Sequence, residues 1–207
     1  MSSTDDFRRY ADLESYLFKE VGPVFVRSGN LSPEDLFTIF IWKANRKKFE
    51  LWQTVADQGG GTDFAAGTAT LVGKLKAAKG PCERLKAVME FGFRLPTATA
   101  ILTVLYPEDF TVYDFRVCDS LRDFHGLGRI GFSVARWPEI WAGYEKFKSA
   151  VIRQAPPNLT LRQCDHHHWG RSFDKDRKRD AANGRPPNAA LANRQARERR
   201  RASKLAR

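Results

Sequence analysis

The chain has 207 residues, 42% of them apolar, with fifteen Phe and five Trp. That is enough for one cored domain plus an appendage. Its net charge of +11 is uneven: thirteen Lys/Arg face four Asp/Glu in residues 171–207, leaving twenty-two against twenty in residues 1–170. Three cysteines at unrelated spacings (Cys82, Cys118, Cys164) exclude a disulfide framework and a CxxC metal knuckle. No apolar run reaches the ~18 residues of a membrane span, and the acid-bearing start MSSTDDFRRYADLESY is no signal peptide. A soluble, cytoplasmic chain without membrane contact is expected.

Thr4 with Asp5 and Asp6 reads as a helix start, and Phe7, Tyr10, Leu13, Tyr16 and Leu17 recur at helical spacing, predicting an amphipathic helix over 5–20. Val21-Gly22-Pro23 should break or kink it. Ser32-Pro33-Glu34-Asp35 is a strong start signal for the next helix, which carries Phe37, Phe40 and Ile41 inward and ends on Trp42, Lys43 and Arg46. Further helices are predicted over 47–58, 63–78 and 82–91. A long one runs from Trp137 to about Gln154, and a last one covers 159–173. The best strand candidate, Phe110–Tyr113, is four residues, so the fold class is all-α. The expected division is a domain over 1–173 and a basic tail over 174–207. The tail has too few apolar residues to offset chain entropy and reads as disordered, with transient helix over 188–205.

The most informative stretch is Arg84–Leu121. Leu85, Val88 and Met89 give a short helix a buried face, and Gly92 permits a sharp turn with φ > 0. Pro96 suits the start of the next helix, whose opening turn Thr97-Ala98-Thr99-Ala100 is small enough for close backbone approach. Free N–H groups at such a start suit a phosphate. Asp114 then opens a third helix.

This stretch resembles the helix-hairpin-helix motif of the base-excision DNA glycosylase superfamily, of the endonuclease III and adenine-glycosylase type. The family pattern reads approximately L-P-G-V-G-x-K-T-A-x-A, then about a dozen residues, then V-D-T-H/R-V. Gly92-Phe93-Arg94-Leu95-Pro96-Thr97-Ala98-Thr99-Ala100 lies over the hairpin, and Val112-Tyr113-Asp114-Phe115-Arg116-Val117 over the aspartate segment, with one extra residue between Val and Asp. The likeness covers roughly 40 residues. It implies a helix-hairpin-helix glycosylase-like fold, with Asp114 as the catalytic carboxylate that activates water or stabilises an oxocarbenium-like sugar after base flipping. Gly92, Arg94, Thr97 and Thr99 become candidates for DNA phosphate contact.

Departures from the pattern shape the expectation. Arg94 replaces the second hairpin glycine, altering the phosphate cradle or supplying a phosphate contact itself. Pro96 stands where bifunctional members carry a Schiff-base lysine, which excludes a lyase route through that position. No four-cysteine set follows, so no iron–sulfur cluster of the family's type is expected, and no other cofactor.

Trp42-Lys43-Ala44-Asn45-Arg46 is a second candidate: Trp42, with Tyr113, would line a base pocket, and Lys43 and Arg46 would hold phosphate. The bland alternatives are a helix cap for Asp114 and a core Trp with a solvated basic helix end. Asp165-His166-His167-His168-Trp169 invites a metal reading, but consecutive helical residues point about 100° apart and do not ligate one ion together. No metal site is expected.

The expected function is a monomeric, monofunctional DNA glycosylase acting on a damaged or modified, including phage-hypermodified, base in double-stranded DNA. The rivals are a non-catalytic helix-hairpin-helix DNA-binding module and an RNA- or ribosome-associated protein acting through its tail. One geometric expectation separates them: Asp114 at the floor of a cleft, facing the Trp42 helix end, with the hairpin at its rim.

Overall fold

Short polar side chains cap several helix starts in the computed structural model, which describes residues 7–183. Asp12 accepts the Ser15 N–H and opens α1 (Leu13–Tyr16). Ser32 accepts the Asp35 N–H at 3.0 Å while its hydroxyl donates back to the Asp35 carboxylate at 2.9 Å, opening α3 (Pro33–Ala44). Asp63 does the same service for α5 (Phe64–Ala77), which pairs with α4 (Lys48–Gln58). Such caps satisfy donors that the helix itself leaves orphaned. The Thr4 cap expected from the sequence lies outside the described residues.

Val21-Gly22-Pro23 does not break the chain's first helical run. Phe7–Ala11 forms a 3-10 turn, α1 follows, and the run widens to a π turn over Leu17–Val21 before α2 (Gly22–Ser28). A proline ring collides with the carbonyl four residues back in a regular helix. Here the Gly22 N–H reaches back five residues to Leu17, and the widened turn accommodates Pro23. Gly22 has a second reason to be glycine: a Cβ there would stand 2.5 Å from the Val104 carbonyl oxygen of a neighbouring helix.

That neighbour is α7 (Leu95–Leu105), the centre of the core. Nine of its eleven residues are buried, and α2, α3 and α6 (Pro81–Glu90) all pack on it. A helix that is apolar on every side belongs inside. α6 and α7 are joined by a tight turn at Gly92, with φ of 118°. Burying Phe40, Leu71, Leu85, Ile101 and Leu105 completely is worth about 1.5–3 kcal/mol for each side chain.

α8 (Phe115–Leu121) and α9 (Trp137–Arg153) follow, and α9 turns Ile140, Tyr144, Phe147 and Val151 inward. All regular structure in the described residues is helical; Phe110–Tyr113 is extended but joins no sheet, so the fold is all-α. No helix among these residues is long and apolar enough to cross a membrane.

The chain divides into two units, Met1–Trp169 and Gly170–Arg207. α10 (Leu161–Asn183) gives Leu161–Trp169 to the first. It also runs past Phe173, where the sequence reading starts the disordered tail. Pairs three or four residues apart support this extension: Asp174 with Arg177 at 2.7 Å and with Lys178 at 2.6 Å, Asp176 with Arg179 at 3.1 Å. Each stabilises a helix by about 0.2–0.5 kcal/mol, a local effect that counting apolar residues overlooks. The transient helix expected over 188–205 lies outside the described residues.

Candidate functional site

Asp114 is placed by an extended segment bolted to the core on both sides. The Tyr144 hydroxyl donates to the Thr111 carbonyl at 2.9 Å and accepts the Thr111 N–H at 3.0 Å. The Tyr113 N–H donates to Thr99 Oγ1 at 2.9 Å. Upstream, Arg84 lies 4.0 Å over the Tyr106 ring and pairs with Asp109 at 3.0 Å. With 106–113 so held, Asp114 enters α8 as its cap, in extended conformation, with Oδ1 accepting the Arg116 N–H at 2.9 Å.

The other carboxylate oxygen meets α3. Lys43 Nζ donates to Asp114 Oδ2 at 2.7 Å, across 71 residues of sequence, and the two side chains are only 14% and 26% exposed. Burial pushes the Asp114 carboxyl up. The Lys43 charge and hydrogen bond, the Arg116 N–H and the Arg116 charge together outweigh it, and the net shift is below the ordinary aspartate range. Asp114 is therefore an ionised, oriented carboxylate.

Beside this pair opens a cleft of about 490 Å³, within the ~300–1,000 Å³ of small-ligand sites. Trp42, Lys43, Val112 and Asp114 form one side. α10 contributes Arg162, Asp165, His166 and Trp169, spaced i, i+3, i+4, i+7 so that one helix face carries them all. Glu14 of α1 completes the lining.

Arg162 organises the α10 side. It pairs with Glu14 at 2.8 Å and with Asp165, and its guanidinium lies 5.3 Å from the Trp42 ring centre and 4.9 Å from that of Phe18. His166 Nε2 stands 2.5 Å from Glu14. Burial alone would raise Glu14, but the His166 bond and the Arg162 charge pull it down to about 2. Asp165 goes the other way. It is 3% exposed, and burial, with the nearby negative charge of Asp114, carries it up to about 6 against the pull of Arg162, Lys43 and His166. The cleft thus holds one carboxylate held below the ordinary aspartate range and another, buried beside Arg162, raised above it.

The structure brings Asp114, Lys43 and Trp42 together and leaves the other candidates elsewhere. Tyr113 is not a wall of the cleft: it is core, its hydroxyl donating to the Phe124 carbonyl at 2.5 Å and accepting the Gly128 N–H. Thr99 is fully buried, donating to the Leu95 carbonyl and accepting from Tyr113, so it has no reach to a phosphate. Gly92 and Arg94 are exposed and Thr97 half-buried at the α6–α7 turn, and none of them lines the cleft. The hairpin is also poorer in free donors than expected. Pro96 has no N–H, and the Thr97 and Ala98 N–H groups both donate to the Arg94 carbonyl. Arg46 is exposed in the 3-10 turn Asn45–Lys47, outside the lining.

His168, one of the three consecutive histidines, is a core residue, 3.0 Å from the Val151 carbonyl and 3.1 Å from Ser120 Oγ. No group of three or more His, Cys, Asp or Glu with metal-holding geometry occurs among the described residues.

Sequence reasoning missed Glu14, Arg162, Asp165, His166 and Trp169 as site residues. The α10 four were visible as a polar–aromatic stripe at helical spacing. Glu14 carries no such signal, since its partner Arg162 is 148 residues away. Comparison with protein-family models, with curated proteins and with solved structures finds no match to this chain.

Proposed function

We propose that the protein is a DNA glycosylase that hydrolyses the N-glycosidic bond of a damaged or modified base flipped out of duplex DNA. What carries this reading is the meeting, in one open cleft, of ionised Asp114 with Asp165, a buried carboxylate whose pKa is raised to about 6. Trp42 and Trp169 both line this cleft, so a flat base entering it would meet aromatic surface.

In the reaction, Asp165 gives its proton to the leaving nitrogen as the C1′–N bond breaks and its electron pair stays on the base. Positive charge builds on the sugar, and the Asp114 carboxylate stabilises it. Lys43 and the Arg116 N–H hold that carboxylate in place, and lone pairs remain on both oxygens. Water adds to C1′, and the proton it sheds restores Asp165. The products are free base and an abasic site. No amine stands at Pro96, so strand cleavage through that position is not part of the scheme.

The test is base-release mass spectrometry on DNA pools rich in damaged and hypermodified bases. Wild type should free a base, and Asp114→Asn and Asp165→Asn should not match it. Full activity of Asp114→Asn on every substrate sinks the mechanism.

A second reading, a non-catalytic DNA-binding module, draws support from Asp114 itself. Both its oxygens are already engaged, as a structural cap and ion-pair partner would be. It expects duplex binding unaffected by Asp114→Asn and no base released by any variant.

A further inference from the structure

The turn between α3 and α4 carries three consecutive cations and then an aromatic ring: Arg46, Lys47, Lys48, Phe49. Phe49 is 71% exposed, yet it is rooted. Its ring meets Phe37 at 6.2 Å between centres, and Phe37 meets Phe64 edge-on at 6.2 Å. Phe64 stacks on Trp52 at 5.7 Å and borders the fully buried Phe40 at 6.4 Å. A train of rings thus runs from the core to one side chain that solvent leaves largely uncovered. The cations stand beside it. Lys48 Nζ donates to Asn45 Oδ1 at 2.7 Å and lies 5.4 Å from the Phe49 ring centre. Lys47 pairs with Glu50 at 3.4 Å, but both side chains are exposed, and such pairs hold weakly. α4 gains nothing from this charge, since cations at a helix start oppose the helix dipole.

We propose that this turn is a binding surface for single-stranded DNA, with a base stacked on Phe49 and the backbone phosphates following Arg46, Lys47 and Lys48. Cations that track a backbone, beside a ring that accepts any base, are what a single strand requires. A duplex covers its base faces and has no use for the ring. An anionic membrane is flat and would also press on Glu50 and Asp57, exposed acids on one face of α4. A strand is narrow enough to pass them by. The choice of DNA rests on the glycosylase reading above; the surface itself does not. Six residues separate Phe49 from Lys43 in the cleft, so at most ~20 Å lies between them. About six nucleotides cover that distance at a rise of ~3.4 Å each, so one strand spans cleft and turn.

The test is fluorescence anisotropy of the full-length protein with labelled oligodeoxyuridylate, oligouridylate of the same length and a duplex, over a salt series. Wild type should bind the DNA strand at least as tightly as the RNA strand. Phe49→Ala should weaken the DNA strand roughly tenfold or more, the scale of one base–aromatic stack, with duplex binding and the salt slope unchanged. Phe49→Trp should keep wild-type affinity. Arg46→Gln with Lys47→Gln should lower the single-strand salt slope by about 1.4, at ~0.7 for each phosphate contact. Thermal melting verifies that the variants fold. A strand bearing 5-iododeoxyuridine should cross-link to Phe49 of the wild type on irradiation, which locates the contact without any variant. If Phe49→Ala binds the strand as wild type does, or the cross-link falls elsewhere, the surface is overturned and base release is untouched. Tighter Phe49-dependent binding of the RNA strand, or Phe49-dependent binding to anionic phospholipid vesicles in place of the strand, overturns it too. If the DNA strand binds through Phe49 and no base is ever freed, the glycosylase reading falls and the surface stands.

Discussion

The α6–α7 turn and the Asp114 cleft come from one contiguous stretch of sequence, yet they differ in what they offer a ligand. At the turn, the groups that open α7 are already engaged: Thr99 donates to the Leu95 carbonyl and accepts from Tyr113, and the Thr97 and Ala98 N–H groups donate to the Arg94 carbonyl. In the cleft, charged side chains from α1, α3, α8 and α10 converge from across the chain. A motif read along the chain therefore joins two unlike things. One is a tight corner whose polar atoms serve the fold, and the other is an aspartate whose surroundings arrive from elsewhere.

The largest expected effect tests that contrast directly. Asp114→Asn should lower single-turnover base release by about 10²–10³, the scale of losing one preorganised electrostatic group, with duplex affinity unchanged. If Arg94→Ala costs as much in the chemical step, the contrast collapses.

Next comes Asp165. Wild-type base release should fall as pH rises through about 6, where the buried acid loses its proton, and Asp165→Asn should be slower without that limb. Stability should show the same groups with opposite signs. The Asp165 pKa is raised in the fold, so its contribution is full below its ordinary 3.8 and lost as pH rises through about 6. That of Glu14 is depressed, so its contribution is present above its ordinary 4.5 and lost as pH falls toward 2. Thermal melting against pH should lose part of its acid limb in Glu14→Gln, and Asp165→Asn should remove the loss of stability between about pH 4 and 6.

Tyr144→Phe removes both bonds to Thr111 and leaves a buried backbone N–H and carbonyl unpaired. Denaturant titration should register about 1–3 kcal/mol, and base release should drop as Asp114 loosens, which would show that the core aims the cleft. The smallest effect is expected at the corner. Arg94→Ala should weaken duplex binding a few-fold and reduce the salt slope by about one if Arg94 touches phosphate. An unchanged slope would leave the turn a purely structural corner.

The helices were legible because their signals are local. Ser32-Pro33 starts α3, Trp137-Pro138 starts α9, and Gly92 takes the positive φ that the turn demands. Asp114 as a cap was legible for the same reason. Val21-Gly22-Pro23 reads as a break or kink, and the break does not occur, because the sequence says nothing of the π turn that absorbs the proline. Thr99 and Tyr113 misled because hydroxyls near a motif look like ligands until the core claims them.

By itself, then, the sequence determined the all-α class, most helix boundaries, and an aspartate at a helix start near a Trp–Lys pair, since capping, periodicity and turn chemistry act over a few residues. Tertiary structure alone decided that Lys43 neutralises Asp114, that Glu14 and Arg162 meet, and that burial raises the Asp165 pKa. Those depend on desolvation and on charges brought together from distant positions, and spacing along the chain carries no record of either.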